Sequence, residues 1–167
     1  MTATLHQIGR LLGALLGGAA LSLAVAQPAA EPGTQQTTPA GPRFGYVDVF
    51  IDSGATPLAV YQVELRATEG DIRIVGVEGG DAGPFVEPPH YDPKALLDGE
   101  RIVLGDFSTD ADLPAGHTRI ARVHLRIDGP APTLALTLDI AGDADANAIN
   151  AQTSYEASFQ TQNGSNP

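Results

Sequence analysis

The sequence predicts an all-β fold, an antiparallel β-sandwich, on three observations. Apolar and polar residues alternate along short segments between residues 44 and 159. Clusters of Gly, Pro and Asp cut these segments at regular intervals. No apolar pattern of helical period extends beyond one short turn near residues 93–98. Strict alternation marks a strand buried on one face, and successive short strands without intervening helices argue for a sandwich or a barrel.

Seven strands are expected. In the first, Val47, Val49 and Ile51 alternate with Asp48, Phe50 and Asp52, and Ser53-Gly54 turns the chain. In the second, Ala59, Tyr61, Val63, Leu65 and Ala67 face one side, with Val60, Gln62, Glu64 and Arg66 on the other. Glu69-Gly70-Asp71 is expected to turn the chain into a third strand over residues 72–77. Residues 101–107 form the fourth. The clearest alternation is in the fifth, residues 119–127. There Ala121, Val123, Leu125 and Ile127 oppose Arg122, His124 and Arg126, and Asp128-Gly129-Pro130 is expected to end the strand. Leu134, Leu136, Leu138 and Ile140 form the next inward row, and residues 153–159 close the domain with Tyr155, Ala157 and Phe159 in phase. The helical turn has its own local logic. Asp92 can cap it, Pro93 suits the first position, residues 94–97 complete one turn, and Gly99 closes it.

The ends read differently. Residues 1–26 look like a secretory signal, with His6 and Arg10 before an uncharged apolar run and small residues at Ala24-Val25-Ala26. The run is shorter than the roughly 20 residues a membrane span needs. Cleavage after Ala26 would place the product in the periplasm or outside the cell, with no lipid-anchoring Cys at the new terminus. Residues 27–42 are rich in Pro, Gly, Thr and Gln and read as a flexible linker. Residues 43–160 form the domain, and residues 161–167 read as a disordered tail whose Asn163-Gly164-Ser165 matches a glycosylation sequon.

Loss of Arg10 would take the net charge from −11 to −12. So acidic a surface repels nucleic acid and anionic lipid, which excludes both as partners. The chain has no Cys, so there is no thiolate nucleophile, no Cys-ligated zinc and no iron–sulfur cluster, and the core alone must hold the domain.

Several segments together resemble a cohesin-type domain, the jelly-roll sandwich of cellulosome scaffolds and its bacterial relatives. They are the opening strand at residues 47–51, Tyr61-Gln62-Val63-Glu64-Leu65, and Ile72-Arg73-Ile74-Val75-Gly76-Val77 with Gly79-Gly80 after it. Arg101-Ile102-Val103-Leu104-Gly105-Asp106-Phe107 and Gly116 followed by Ile120-Ala121-Arg122-Val123-His124-Leu125 complete the set. The resemblance spans residues 47–159 and implies a jelly-roll, cohesin-like fold and a non-catalytic, protein-binding role. Tyr91-Asp92-Pro93 lies further along than the Tyr-Asp-Pro run of many cohesins, and the resemblance assigns no binding residues.

Three candidate chemistries remain. A serine hydrolase would need a Ser beside a His on a strained turn; there is no Gly-x-Ser-x-Gly, and His117 and His124 read as turn and outer-face residues. Most acids that could serve a glycosidase stand in turns, where Asp is favoured for local hydrogen bonding. Calcium is the one cofactor the pattern admits. Asp143, Asp145 and Asn147 place oxygen ligands at alternate positions, as do Asp106, Ser108, Asp110 and Asp112, but neither set has a closing carboxylate. For recognition, the loop Phe85-Val86-Glu87-Pro88-Pro89-His90-Tyr91 offers Phe85, His90 and Tyr91 as partner- or ligand-binding residues, unless Phe85 instead caps the core. The reading is a secreted interaction module, not an enzyme, whose partner is another extracellular protein. The alternative is a carbohydrate-binding module taking a polysaccharide, weakened by the absence of Trp.

Overall fold

The computed structural model describes residues 41–160; the expected signal, most of the expected linker and the tail lie outside them. Five strands run as β1 Arg43–Asp52, β2 Val60–Gly79, β3 Arg101–Phe107, β4 His117–Gly142 and β5 Gln152–Phe159. All are antiparallel neighbours in one sheet of order β3-β2-β4-β1-β5. Among the described residues no helix is long and apolar enough to cross a membrane.

The expected seven strands become five because two of the expected turns do not end their strands. Between Glu69↔Thr133 and Asp71↔Asp128, β2 spends only Gly70 while β4 spends residues 129–132. The ladder resumes beyond this bulge, so Glu69-Gly70-Asp71 and Asp128-Gly129-Pro130 are the two sides of one corner. Pro130 and Pro132 have no N–H to offer a ladder and sit where none is required. Gly70 has φ +89, and a Cβ there would lie 2.9 Å from Pro132 Cα, so the corner closes only around a glycine.

The corner bends the sheet strongly. Tyr61 is in register with Ala141, and Ile120 stands 21 positions before Ala141 on β4. A straight strand would separate those two by roughly 70 Å. Yet Tyr61 Oη donates to the Ile120 carbonyl at 3.4 Å. Tyr155 Oη on β5 likewise donates to the Leu134 carbonyl beyond the corner, at 3.3 Å.

One continuous core results. It takes Val47, Val49 and Ile51 from β1, Tyr61, Val63, Leu65, Ile72 and Ile74 from β2, Ile102 and Leu104 from β3, and Ile120, Val123, Leu125 and Ile127 from β4. Each such side chain fully withdrawn from water is worth about 1.5–3 kcal/mol. The expected inward row of β4 holds for Leu134, Leu136 and Leu138, which are buried or half-buried, and fails at Ile140. A register shift lets Asp139 and Ile140 together oppose Gln62, so Ile140 turns outward, 48 % exposed, and Ala141 takes the inward place opposite Tyr61.

The helical turn forms as expected. Lys94 N donates to Asp92 Oδ1 at 2.9 Å, α1 covers Ala95–Asp98, and left-handed Gly99 donates back to the Ala95 carbonyl. A 3-10 turn at Gly83–Val86 carries Phe85 into the core. Its approach relies on Gly79 and Gly80, where a Cβ would lie 2.1 Å from the carbonyls of Val86 and Arg119.

Phe85 and Tyr61 meet edge to face, centroids 5.2 Å apart. Burial pushes the Tyr61 hydroxyl well above its ordinary pKa. Its hydrogen bond is long, so Tyr61→Phe is expected to cost about 1 kcal/mol or less in urea unfolding. Phe85→Ala opens a core cavity and is expected to cost about 3–5 kcal/mol.

Candidate binding surface

The outward face of β1 and of the first half of β4 holds the densest set of interacting polar and aromatic side chains. Period-2 alternation would put Arg119 and Arg122 on opposite faces, since they are an odd number of residues apart. A bulge overrides it. Val49 pairs with Ala121 and Phe50 with Arg119, so Ile120 is the extra residue; it turns inward, fully buried. Both arginines then stand on the outer face, Arg122 directly opposite Asp48 and Arg119 opposite Phe50.

Asp48 is only 8 % exposed and takes hydrogen bonds from both. Arg122 Nε and Nη2 donate to its two carboxylate oxygens at 2.7 Å each, and Arg119 Nη1 adds a third bond at 3.1 Å. The paired, planar donation of Arg122 is the strongest geometry available to a carboxylate. It holds the Asp48 carboxyl below its usual pKa, with burial opposing and Arg119 assisting, and it raises Arg122 in turn. The Arg122 guanidinium carbon also sits 3.9 Å above the centre of the Tyr46 ring, a cation–π contact.

The row continues on both sides. The His124 ring meets Tyr46 edge-on at 6.4 Å, and its Nε2 is 2.9 Å from Glu78 Oε1 on β2. Arg119 Nε lies 3.4 Å from Asp81 Oδ2. Phe50 stacks on His117 at 4.5 Å, and His117 Nε2 is 3.4 Å from Ser154 Oγ on β5. At the end of the row lies an open cavity of about 250 Å³, lined by Phe44, Gly45, Tyr46, His124, Ser158, Phe159 and Gln160. Phe44 is 49 % exposed there.

The residues singled out from the sequence are placed elsewhere. Phe85 presents no surface and takes the alternative expected of it, a cap on the core: it is fully buried against Tyr61, because a seated ring is worth more in the core than in water. His90 keeps its side chain exposed, while its backbone exchanges hydrogen bonds of 2.9 and 3.0 Å with Gly105 on β3. Tyr91 is half-buried against the core. The loop thus serves mainly as a cover for the β3 edge.

Asp143, Asp145 and Asn147 build a turn. Asp143 Oδ1 accepts from the backbone N–H of Asp145 at 3.0 Å and of Asn147 at 2.9 Å, and Oδ2 accepts from Asn147 Nδ2 at 3.1 Å. These bonds, the Asn147 side chain first, hold the Asp143 carboxyl below its ordinary pKa. The tertiary fold also brings the second acidic segment close: Asp110, Asp143 and Asp145 line one cavity of about 390 Å³ with Thr56, Pro57 and Leu113. Among the described residues no group of three or more His, Asp or Glu is arranged to hold a metal ion. The Asp143 carboxylate accepts all three of these hydrogen bonds from its own turn.

Sequence reasoning put Asp48, Arg122 and His124 on outer faces but missed Arg119 and the convergence on Asp48. A signal was present: two arginines three positions apart in one strand, and a lone acid between two valines in another.

The Asp48 cluster makes stability depend on pH. A carboxyl held below its unfolded pKa stabilises the fold above about pH 4, and that contribution is lost as the pH falls through the unfolded value toward the folded one. Asp48→Asn is therefore expected to cost about 2 kcal/mol in urea unfolding at pH 7, with the gap to the wild type closing toward pH 3. Asp143→Ala is expected to lower the melting temperature by loosening the β4–β5 turn, while calcium and chelator leave the wild-type value unchanged.

Comparison with family models, with curated proteins and with solved structures found no match to this chain.

Proposed function

We propose that this chain is an exported, non-catalytic interaction module with a cohesin-like jelly-roll sandwich, and that it binds another protein through the face built around Asp48. In this reading the two halves of the bent sheet are the layers of the sandwich. The hydrogen bonds from Tyr61 to Ile120 and from Tyr155 to Leu134, which tie parts of the sheet far apart along β4, support it.

The observation that carries the binding role is the ordered row Tyr46–Arg122–Asp48–Arg119 on the outward face. Tyr and Arg are the side chains that dominate protein–protein binding energy when held in place. Here the ion pair and the cation–π contact immobilise them before any partner arrives, which lowers the entropy lost on association. The net charge of −11 favours a partner presenting basic groups around the rim and disfavours nucleic acid and anionic membranes. Export through the amino-terminal signal would place this encounter in the periplasm or outside the cell.

A second reading, carbohydrate binding, is favoured by one feature. The cavity at the end of the row combines the rings of Phe44, Tyr46 and Phe159 with polar groups from His124, Ser158 and Gln160. Apolar ring faces beside a few convergent polar groups are what a sugar needs.

Affinity capture from the secretome of the source organism separates the two. The protein-binding role requires a specific partner whose affinity falls about tenfold or more in Tyr46→Ala and in His124→Ala. Retention on a polysaccharide panel that disappears in Phe44→Ala would transfer the assignment to the glycan reading. Failure to capture either class removes both.

A further inference from the structure

The two outer strands of the sheet are finished differently. The free side of β3 is occupied at Gly105, which exchanges backbone hydrogen bonds with His90 immediately after Pro88 and Pro89. At the other edge, β5 pairs with β1 from Gln152 to Phe159 without a bulge, and no described residue pairs with its other side. It contains no Pro and no Lys, and its one charged residue is Glu156. Unpaired edges are normally blunted by prolines, bulges, lysines or a covering loop. One edge here has such a cover; among the described residues β5 has none, and Glu156 is its one charge.

We propose that the free edge of β5 pairs with β5 of a second copy of this chain, antiparallel, about a two-fold axis through Tyr155. The charges select this register. For both faces of the joined sheet to stay continuous, the axis must pass through a residue, not between two. The longest overlaps then centre on Tyr155 or on Glu156. Centring on Glu156 sets two carboxylates directly opposite each other, which is destabilising. Centring on Tyr155 sets Glu156 opposite Ser154 of the other copy. The Oγ of that serine lies 3.4 Å from His117 Nε2. Each Glu156 carboxylate thus meets the imidazole edge of the other copy, twice by symmetry. On the opposite face, Tyr155, 39 % exposed, faces its own counterpart, and the exposed Ala157 faces Thr153. The pairing adjoins the Asp48 row, since Glu156 is the ladder partner of Asp48 and His117 ends that row, but it does not rest on the function proposed above.

Sedimentation equilibrium on the purified protein, from micromolar to millimolar concentration, tests the pairing. The wild type is expected to reach twice the monomer mass. Ala157→Lys, at an exposed edge position, is expected to weaken the dimer at least tenfold while the circular dichroism spectrum and melting temperature stay unchanged. Glu156→Lys is expected to weaken it as well, and Glu156→Lys combined with His117→Glu to restore it by reversing the charges. A protein that stays monomeric to millimolar concentration overturns the proposal. So does a dimer indifferent to Ala157→Lys, or one that the charge reversal fails to rescue.

Discussion

The antiparallel pairing of β2 with β4 is the constraint on which the rest of the structure depends. The two longest strands stay hydrogen-bonded to each other on both sides of a corner where one spends Gly70 and the other residues 129–132. Unequal path lengths across a continuous ladder can be accommodated only by bending. Each side of the corner then recruits its own neighbours: β3 joins the first half of β2, and β1 followed by β5 joins the first half of β4. With no disulfide to restrain the chain, the apolar core gathered inside that bend supplies the stabilisation.

Bulges then decide which chemistry faces outward. Because strand side chains alternate strictly, one added residue moves everything beyond it to the other face. The bulge at Ile120 brings Arg119 to the face of Arg122, and a nearly buried Asp48, already paired with Arg122, gains a third charge-assisted hydrogen bond as a result. The shift at Asp139 works the other way, exposing Ile140 and burying Ala141. The proposed binding face owes its rigidity to Arg122. Arg122 is held at both of its functional ends, by the carboxylate of Asp48 and the ring of Tyr46.

The loops show how tertiary packing reassigns residues that look available. Phe85 stands in a segment with no strand pattern, which makes it look free, but the 3-10 turn at Gly83–Val86 seats it on Tyr61. The space it needs depends on the close backbone approach at Gly79 and Gly80, which no local pattern reveals. Asp143 and Asn147 look like an incomplete ligand set, and within the fold they are the hydrogen-bonded frame of the turn before β5. In both cases the chain's path sets which partners these residues find.

Local rules were enough where a residue's environment is set by its near neighbours. The strand alternation at Val47, Val49 and Ile51, the span of β3 and the closure of the helical turn by Gly99 all follow from sequence, because period-2 burial, capping and left-handed glycine act over a few residues. The corner, the Ile120 bulge and the meeting of two distant acidic segments could be decided only in three dimensions. Each depends on register between strands remote in sequence, and register is chosen by how well whole faces bury against one another, a quantity that no single segment contains.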